Sequence, residues 1–274
     1  MIKLTRTPQG QARAPMTQPF GAEAFAGAAG TTIRWLGGAG ALINSRGACL
    51  MIDPVLDGFD MPLLAQAPIS AGGVPRLDAV LLTHCDADHF SRETCRRLAP
   101  VCGAFHAPRY VAGLVEELGI PAEGHDIGAQ FDVGAVTVRL TPADHAWQNE
   151  SPKHKTREFK REDYCGFWLD TPDGSVWAVG DSRLLPEQLA MPRPDAMLFD
   201  FSDSSWHIGL EGAVRMAAAY PDTPLILWHW GCVDAPQWKE FNGDPEVLAQ
   251  RIVNPGRIVV LAPGEPWTLR RLEG

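Results

Sequence analysis

The sequence predicts an α/β fold on three observations. Short apolar runs with strand character alternate with helical segments, several strands end in a histidine or aspartate, and 274 residues with 45% hydrophobic and 21% charged content can bury a substantial core. The expected organisation is an N-terminal tail, residues 1–30, followed by a single domain, residues 31–274.

Taken in order, the tail carries Lys3, Arg6 and Arg13 without a continuous apolar stretch. That pattern is unlike a secretory signal and predicts a flexible or draped segment. The first strand begins near Thr31 and runs through residues 32–36 into Gly37-Gly38-Ala39-Gly40. These glycines lack the lysine of a phosphate-binding loop and precede a strand, so they read as a tight turn. Residues 41–44 and 48–52 flank Ser45-Arg46-Gly47, a hairpin signal, and the second of these strands ends at Asp53-Pro54. Residues 77–82, rich in branched apolar side chains, form a buried strand. Ser91 caps the helix over 92–98, with Glu93 in its first turn. Further elements are a helix over 108–118, a strand over 133–140 with apolar alternation through Val136 and Val138, a strand over 175–179, a helix over 210–219 and a strand over 225–228.

The net charge of -9 disfavours an extended nucleic-acid or anionic-membrane surface, and no run approaches the length of a membrane span. Six cysteines without a CxxC pair predict reduced thiols and a cytoplasmic protein. Cys85, between two candidate ligands, is turned away from them by strand alternation and is expected to be buried. A small-molecule substrate is the partner this composition suits, and homo-oligomerisation is left open.

The densest chemistry is Thr83-His84-Cys85-Asp86-Ala87-Asp88-His89, directly after the buried strand. His84 and Asp86, two apart, can point to one side of an extended loop, while Asp88 and His89 follow the bend and can reach a second centre. The competing reading is an exposed polar loop with helix-capping aspartates. Later strand exits weigh against it: residues 133–140 lead to His145, residues 175–179 to Asp181, and residues 225–228 to His229. Strand ends are where rigid scaffolds present catalytic groups. Each of these three taken alone would more often be structural; with the cluster they form a set.

This ordered set resembles the metallo-beta-lactamase superfamily, whose members carry an HxHxDH loop followed by a His, a bridging Asp and a last His. More narrowly, residues 35–43, Met51-Ile52-Asp53-Pro54, Val179-Gly180-Asp181 and His229-Trp230-Gly231 resemble the L-ascorbate 6-phosphate lactonase-like branch. The resemblance covers roughly residues 31–269. It implies a four-layer αβ/βα sandwich, two mixed sheets face to face with helices outside and two divalent metals at one edge. It also implies that His84, Asp86 and His145 hold the first metal, that Asp88, His89 and His229 hold the second, and that Asp181 bridges.

Asp86 departs from the family, standing where most members have histidine. Three carboxylates against two divalent ions and one hydroxide make a nominally neutral site, where histidine would leave one positive charge. The extra carboxylate hardens the first centre and moves preference from Zn(II) toward Mn(II) or Fe, although Zn(II) accepts carboxylate oxygen well. The same superfamily includes diiron proteins with a carboxylate, usually Glu, at this position.

Hydrolysis by a metal-bridging hydroxide is the simplest chemistry of such a pair. Asp88 is assigned as ligand first and proton shuttle second. His207, in a polar loop before the helix over 210–219, is the candidate donor of the leaving-group proton; a capping or core histidine is the competing role. Asp53, Asp144, Asp200 and Asp203 could hold ligand imidazoles or could cap helices. Trp147, Trp206, Trp228 and Trp230 bracket the ligands. Core packing is favoured for the last three, while the polar surroundings of Trp147 predict an exposed pocket wall that touches substrate.

The segment 153–161 holds five Lys or Arg and one Glu. It reads either as a lid over the site, with Lys153, Lys155 and Arg157 drawing in an anionic substrate, or as a solvated loop. The leading functional class is a dinuclear hydrolase of a small anionic ester, lactone or phosphodiester. A diiron oxygenase or oxidase on the same fold is the alternative, and a non-catalytic binding protein with a degraded site is a third.

Overall fold

The computed structural model describes residues 3–154 and 157–273. In chain order its strands are β1 (Thr31–Gly37), β2 (Gly40–Ser45), β3 (Ala48–Ile52), β4 (Leu77–Leu81), β5 (Cys102–Pro108), β6 (Glu123–His125) and β7 (Gln130–Val133). They continue with β8 (Val136–Pro142), β9 (Cys165–Thr171), β10 (Gly174–Ala178), β11 (Ala196–Phe199), β12 (Leu225–Leu227), β13 (Ile258–Val259) and β14 (Pro266–Thr268). Among the described residues, four helices of seven or more residues accompany them: α1 (Arg92–Leu98), α2 (Arg109–Glu116), α3 (Gly209–Ala219) and α4 (Pro245–Arg251).

Two seven-stranded sheets result, ordered β14-β1-β2-β3-β4-β5-β6 and β13-β12-β11-β10-β9-β8-β7. Both are mixed. The first changes from antiparallel to parallel at β3 and the second at β10. Alternation along the strands divides their side chains between two cores. Ile43, Leu50, Ile52, Ala79 and Leu81 face the second sheet, whereas Leu42, Cys49, Met51, Val80 and Leu82 face α1 and α2. Buried residues of α3 and α4, among them Met216 and Leu248, extend the core on the far side of the second sheet. The order is therefore helices, sheet, sheet, helices, the αβ/βα sandwich expected from the resemblance.

The hairpin at Ser45-Arg46-Gly47 turns through left-handed Arg46 and Gly47 (φ 54° and 103°), the combination a two-residue hairpin loop demands. The expected strand over 133–140 is corrected. It breaks at left-handed Gly134 (φ 59°), so Val133 ends β7 and a new strand starts at Val136. Residues 3–30 lie against the domain: Ala14 donates its backbone N–H to Gly231, Gln18 donates to Pro263, and Phe25 is buried. All six cysteines are free, and Cys85 packs against Phe159 and Tyr164 as a partly buried apolar group. No described helix is long and apolar enough to cross a membrane.

Candidate metal centre

Strands β3, β4, β8, β10, β11 and β12 all finish at one edge of the sandwich, and each is followed by an ionisable residue of the site. Asp53 follows β3, the run 84–89 follows β4, His145 follows β8, Asp181 follows β10, Asp200 follows β11 and His229 follows β12. Rigid ladders therefore position loops that would otherwise wander. Two of these exits use strained backbone. Asp53 and His229 are left-handed (φ 42° and 60°), and the His229 N–H is anchored on the Gly38 carbonyl at 2.8 Å.

The seven residues assigned as ligands come together. His84 Nε2 and His145 Nε2 each lie 3.4 Å from Asp86 Oδ2. His229 Nε2 is 3.2 Å and His89 Nε2 3.8 Å from Asp88 Oδ2. Asp181 Oδ2 stands between the groups, 3.1 Å from His89 Nε2, 3.5 Å from His229 Nε2 and 4.0 Å from His145 Nε2. Ligating atoms of His84, Asp86 and His145 lie within 4.8 Å of one another, as do those of Asp88, His89 and His229.

This donor set fits divalent ions. His84 Nε2 and Asp181 Oδ1 are buried without a hydrogen-bond partner among the described residues, a costly arrangement unless a cation satisfies both. Nitrogen and carboxylate oxygen suit Zn(II), Mn(II) and Fe.

Each imidazole is fixed through its other nitrogen. His89 Nδ1 donates to Asp53 Oδ2 at 2.8 Å, His145 Nδ1 to the Trp206 carbonyl at 2.8 Å, and His229 Nδ1 to the Glu240 carbonyl at 3.1 Å. His84 Nδ1 meets Thr83 Oγ1 at 3.0 Å, and Thr83 in turn donates its hydroxyl and backbone N–H to Asp53. These contacts aim Nε2 of every ring into the centre.

Charge balance follows from the same contacts. Burial alone would raise the Asp181 carboxyl, but His229, His89 and His207 hold it well below the ordinary range. Burial also opposes ionisation of Asp86, and His84 and His145 outweigh it. Conversely, burial disfavours a charged His229, but Asp181 and Asp88 push it up to about 10. His89 is likewise held well above the imidazole range, against its burial, by Asp181, Asp88 and Asp53. His84 moves the other way, lowered by burial and by neighbouring His89.

His207 sits among the candidate donors rather than beside them. Its Nδ1 is held by Asp200 Oδ2 at 2.7 Å and its Nε2 lies 3.5 Å from Asp181 Oδ2. Of the four aspartates weighed as partners of ligand imidazoles, Asp53 takes that part with His89, whereas Asp200 holds His207, which is outside the candidate ligand set. Asp144 and Asp203 do neither: Asp144 meets Arg183 and Ser182 through its backbone, and exposed Asp203 faces Leu210 N and Lys239.

Trp147 corrects the expectation of an exposed wall. It is half-buried and donates Nε1 to Asp86 Oδ2 at 2.6 Å. Buried Gln148 donates to Asp86 Oδ1 at 2.6 Å, a partner no local sequence signal announces. Arg157 is corrected as well. Its guanidinium pairs with Asp163 at 2.6 Å and lies 3.6 Å from the Tyr110 ring centroid, so its donors serve the fold. The Lys153 side chain and Lys155 lie outside the described residues. Trp228 and Trp230 are buried, as the core reading expected.

The Beta-lactamase superfamily domain model matches residues 49–230. A UPF0173 metal-dependent hydrolase of Pyrobaculum arsenaticum is 30% identical over 248 residues, 85% of this chain and 97% of that protein. Its counterpart from Carboxydothermus hydrogenoformans is 25% identical over 238 residues, 84% and 99% of the two chains. Among solved structures, Igni18, a metallo hydrolase from Ignicoccus hospitalis, superposes with a TM-score of 0.68 at 18% identity, covering 88% of this chain and 98% of its own. CmlA, a diiron beta-hydroxylase from Streptomyces venezuelae, gives 0.64 at 16% identity, covering 88% of this chain and 54% of its own. At such identities these structures show the shared fold alone.

Proposed function

The chain belongs to the beta-lactamase superfamily, and from that premise we propose that it is a dinuclear metal-dependent hydrolase of a small ester, lactone or phosphodiester. The observation that carries this reading is the pair of donor sets sharing Asp181, with His84 Nε2 and Asp181 Oδ1 buried and unpartnered. His84, Asp86 and His145 would hold one ion, Asp88, His89 and His229 the other, and Asp181 both. Two bound divalent ions, Zn(II) or Mn(II), would supply charge stabilisation for a carbonyl or phosphoryl oxygen and an acidified water.

The chain's own groups then do the rest. Asp88 is half-buried and borders the open edge, where its carboxylate can take a proton from the attacking water. His207 presents Nε2 toward Asp181 while Asp200 fixes its other nitrogen, an arrangement that would let His207 supply the proton of the leaving group. Asp53 and Thr83 keep the two histidines of the 84–89 loop in one tautomer each. A second reading, iron and oxygen chemistry, is favoured by one feature, the carboxylate of Asp86 where histidine is usual.

The test is elemental mass spectrometry on protein purified without chelator, combined with ester and phosphodiester turnover. About two Zn or Mn per chain with hydrolysis supports the reading. Iron with oxygen-dependent redox change would replace it by the second. In Asp181→Ala, loss of at least one ion and nearly all turnover is expected; retention of both ions would refute the bridging role.

A further inference from the structure

A cavity of about 270 Å³ opens beside Asp88, at the face of the second donor set. Besides Asp88, its walls come from three separate segments: the turn at Gly37 and Gly38, the loop 55–67 that joins β3 to β4, and the stretch 232–241 after His229. Leu36, Leu56, Phe59, Val233 and Phe241 make most of it apolar. Phe241 also stacks on the His229 ring, 5.4 Å between centroids and 15° apart, so the cavity and the metal centre share a wall.

The charge of this lining is one-sided. Among the described residues it contains Asp57 and Asp88 and no Lys or Arg. At the end away from Asp88, which the hydrolase reading pairs with a divalent ion, a carboxylate or phosphate on the bound molecule would be desolvated against apolar walls beside Asp57, whose carboxylate already faces Arg97 at 3.7 Å, with no Lys or Arg among the described lining residues to meet it. Of the cationic segment weighed as an anion trap, Arg157 is committed to Asp163 and Tyr110, and none of its described residues lines this cavity. The volume falls just below the roughly 300–1,000 Å³ of ordinary small-molecule pockets, which suits a short chain or a single ring.

We propose that this cavity receives the apolar arm of an uncharged carboxylic ester or lactone, with the scissile carbonyl at Asp88. The assignment rests on the hydrolase reading and replaces the anionic substrate expected from the sequence. Water adds to the carbonyl carbon, the bond to the ester oxygen breaks, and the departing alkoxide takes a proton, giving an acid and an alcohol.

The experiment uses the metal-loaded protein and two matched pairs. Turnover compares 4-nitrophenyl hexanoate with the 4-nitrophenyl monoester of adipic acid, which has the same length but ends in a carboxylate. Calorimetry compares binding of hexanamide and adipamate, which requires no turnover. The neutral member of each pair should be favoured by about tenfold or more, the range a few buried apolar atoms supply. Ala67→Trp, which narrows the cavity, should lower kcat/KM for the hexanoate more than for the corresponding acetate. Equal or inverted preference in wild-type protein would overturn the assignment, as would failure of hexanamide to bind. Binding of hexanamide with no ester turned over would uphold the cavity's preference and sink the hydrolase reading instead.

Discussion

Asp53→Asn isolates how one buried carboxylate outside the candidate donor sets controls the second centre through His89. Asp53 is fully buried and accepts three hydrogen bonds, from Thr83 N at 2.8 Å, from Thr83 Oγ1 at 2.5 Å and from His89 Nδ1 at 2.8 Å. Asparagine tolerates the left-handed backbone here (φ 42°), so the change is confined to the side chain. If the amide oxygen stays on Thr83 N–H, the amide NH2 faces His89 Nδ1, which must give up its proton and become the acceptor. The proton then moves to Nε2, the atom that faces Asp181. If the amide flips instead, its NH2 confronts the Thr83 N–H and leaves a buried donor unpaired, at about 1–3 kcal/mol. Either outcome should weaken the second centre by roughly 10–100-fold, the usual effect of losing such a partner. In free energy this is about 1.4–2.7 kcal/mol. Chelator competition followed by metal analysis would show one ion lost before the other. Unchanged affinity at both centres would refute the tautomer argument.

Three further predictions follow from the same geometry. Asp86→His should move competition binding toward Zn(II), and it should lower stability by about 1–3 kcal/mol because Trp147 and Gln148 each lose an acceptor; unaltered selectivity would count against Asp86 as a ligand. Gly180→Ala should destabilise the protein by about 2 kcal/mol or more in thermal unfolding. Gly180 is left-handed (φ 75°) and an added Cβ would stand 2.5 Å from the Cys165 carbonyl, so an unshifted Tm would contradict this placement. Metal loading near pH 7 should release protons, because His229 and His89 are raised and charged in the metal-free chain while ligation needs them neutral. Affinity should therefore fall as pH falls, and the calorimetric heat should vary with the ionisation heat of the buffer; a buffer-independent heat would refute it.

Much of the site was legible because its candidate donors follow apolar runs with strand character. Residues 77–82 announce β4, and the donors at 84–89 come immediately after it. Other features carry no local signature. β9 contains Gly166, Trp168 and Asp170, a mixture that acquires strand character only between β8 and β10. The expected strand over 133–140 runs too far because Val133 adds a branched apolar residue just before the alternating run at 136, 138 and 140, and only Gly134 betrays the turn between them. Gln148 reaches Asp86 across 62 residues, and the cavity joins three segments more than a hundred residues apart in part. Such meetings depend on how the sheets stack, which periodicity does not encode. Arg157 shows the reverse error: a cation in a basic run invites a role in binding until its ring and carboxylate partners are seen.

The distribution of donors between the two halves of the chain has a consequence for folding. His84 and Asp86 leave the first sheet while His145 leaves the second; Asp88 and His89 leave the first while Asp181 and His229 leave the second. Neither sheet alone assembles either donor set. An ion held by either set acts as a rivet across the seam between the sheets, so its binding energy opposes their separation directly. The catalytic edge is thus also the hasp of the sandwich, closed only when both halves have folded.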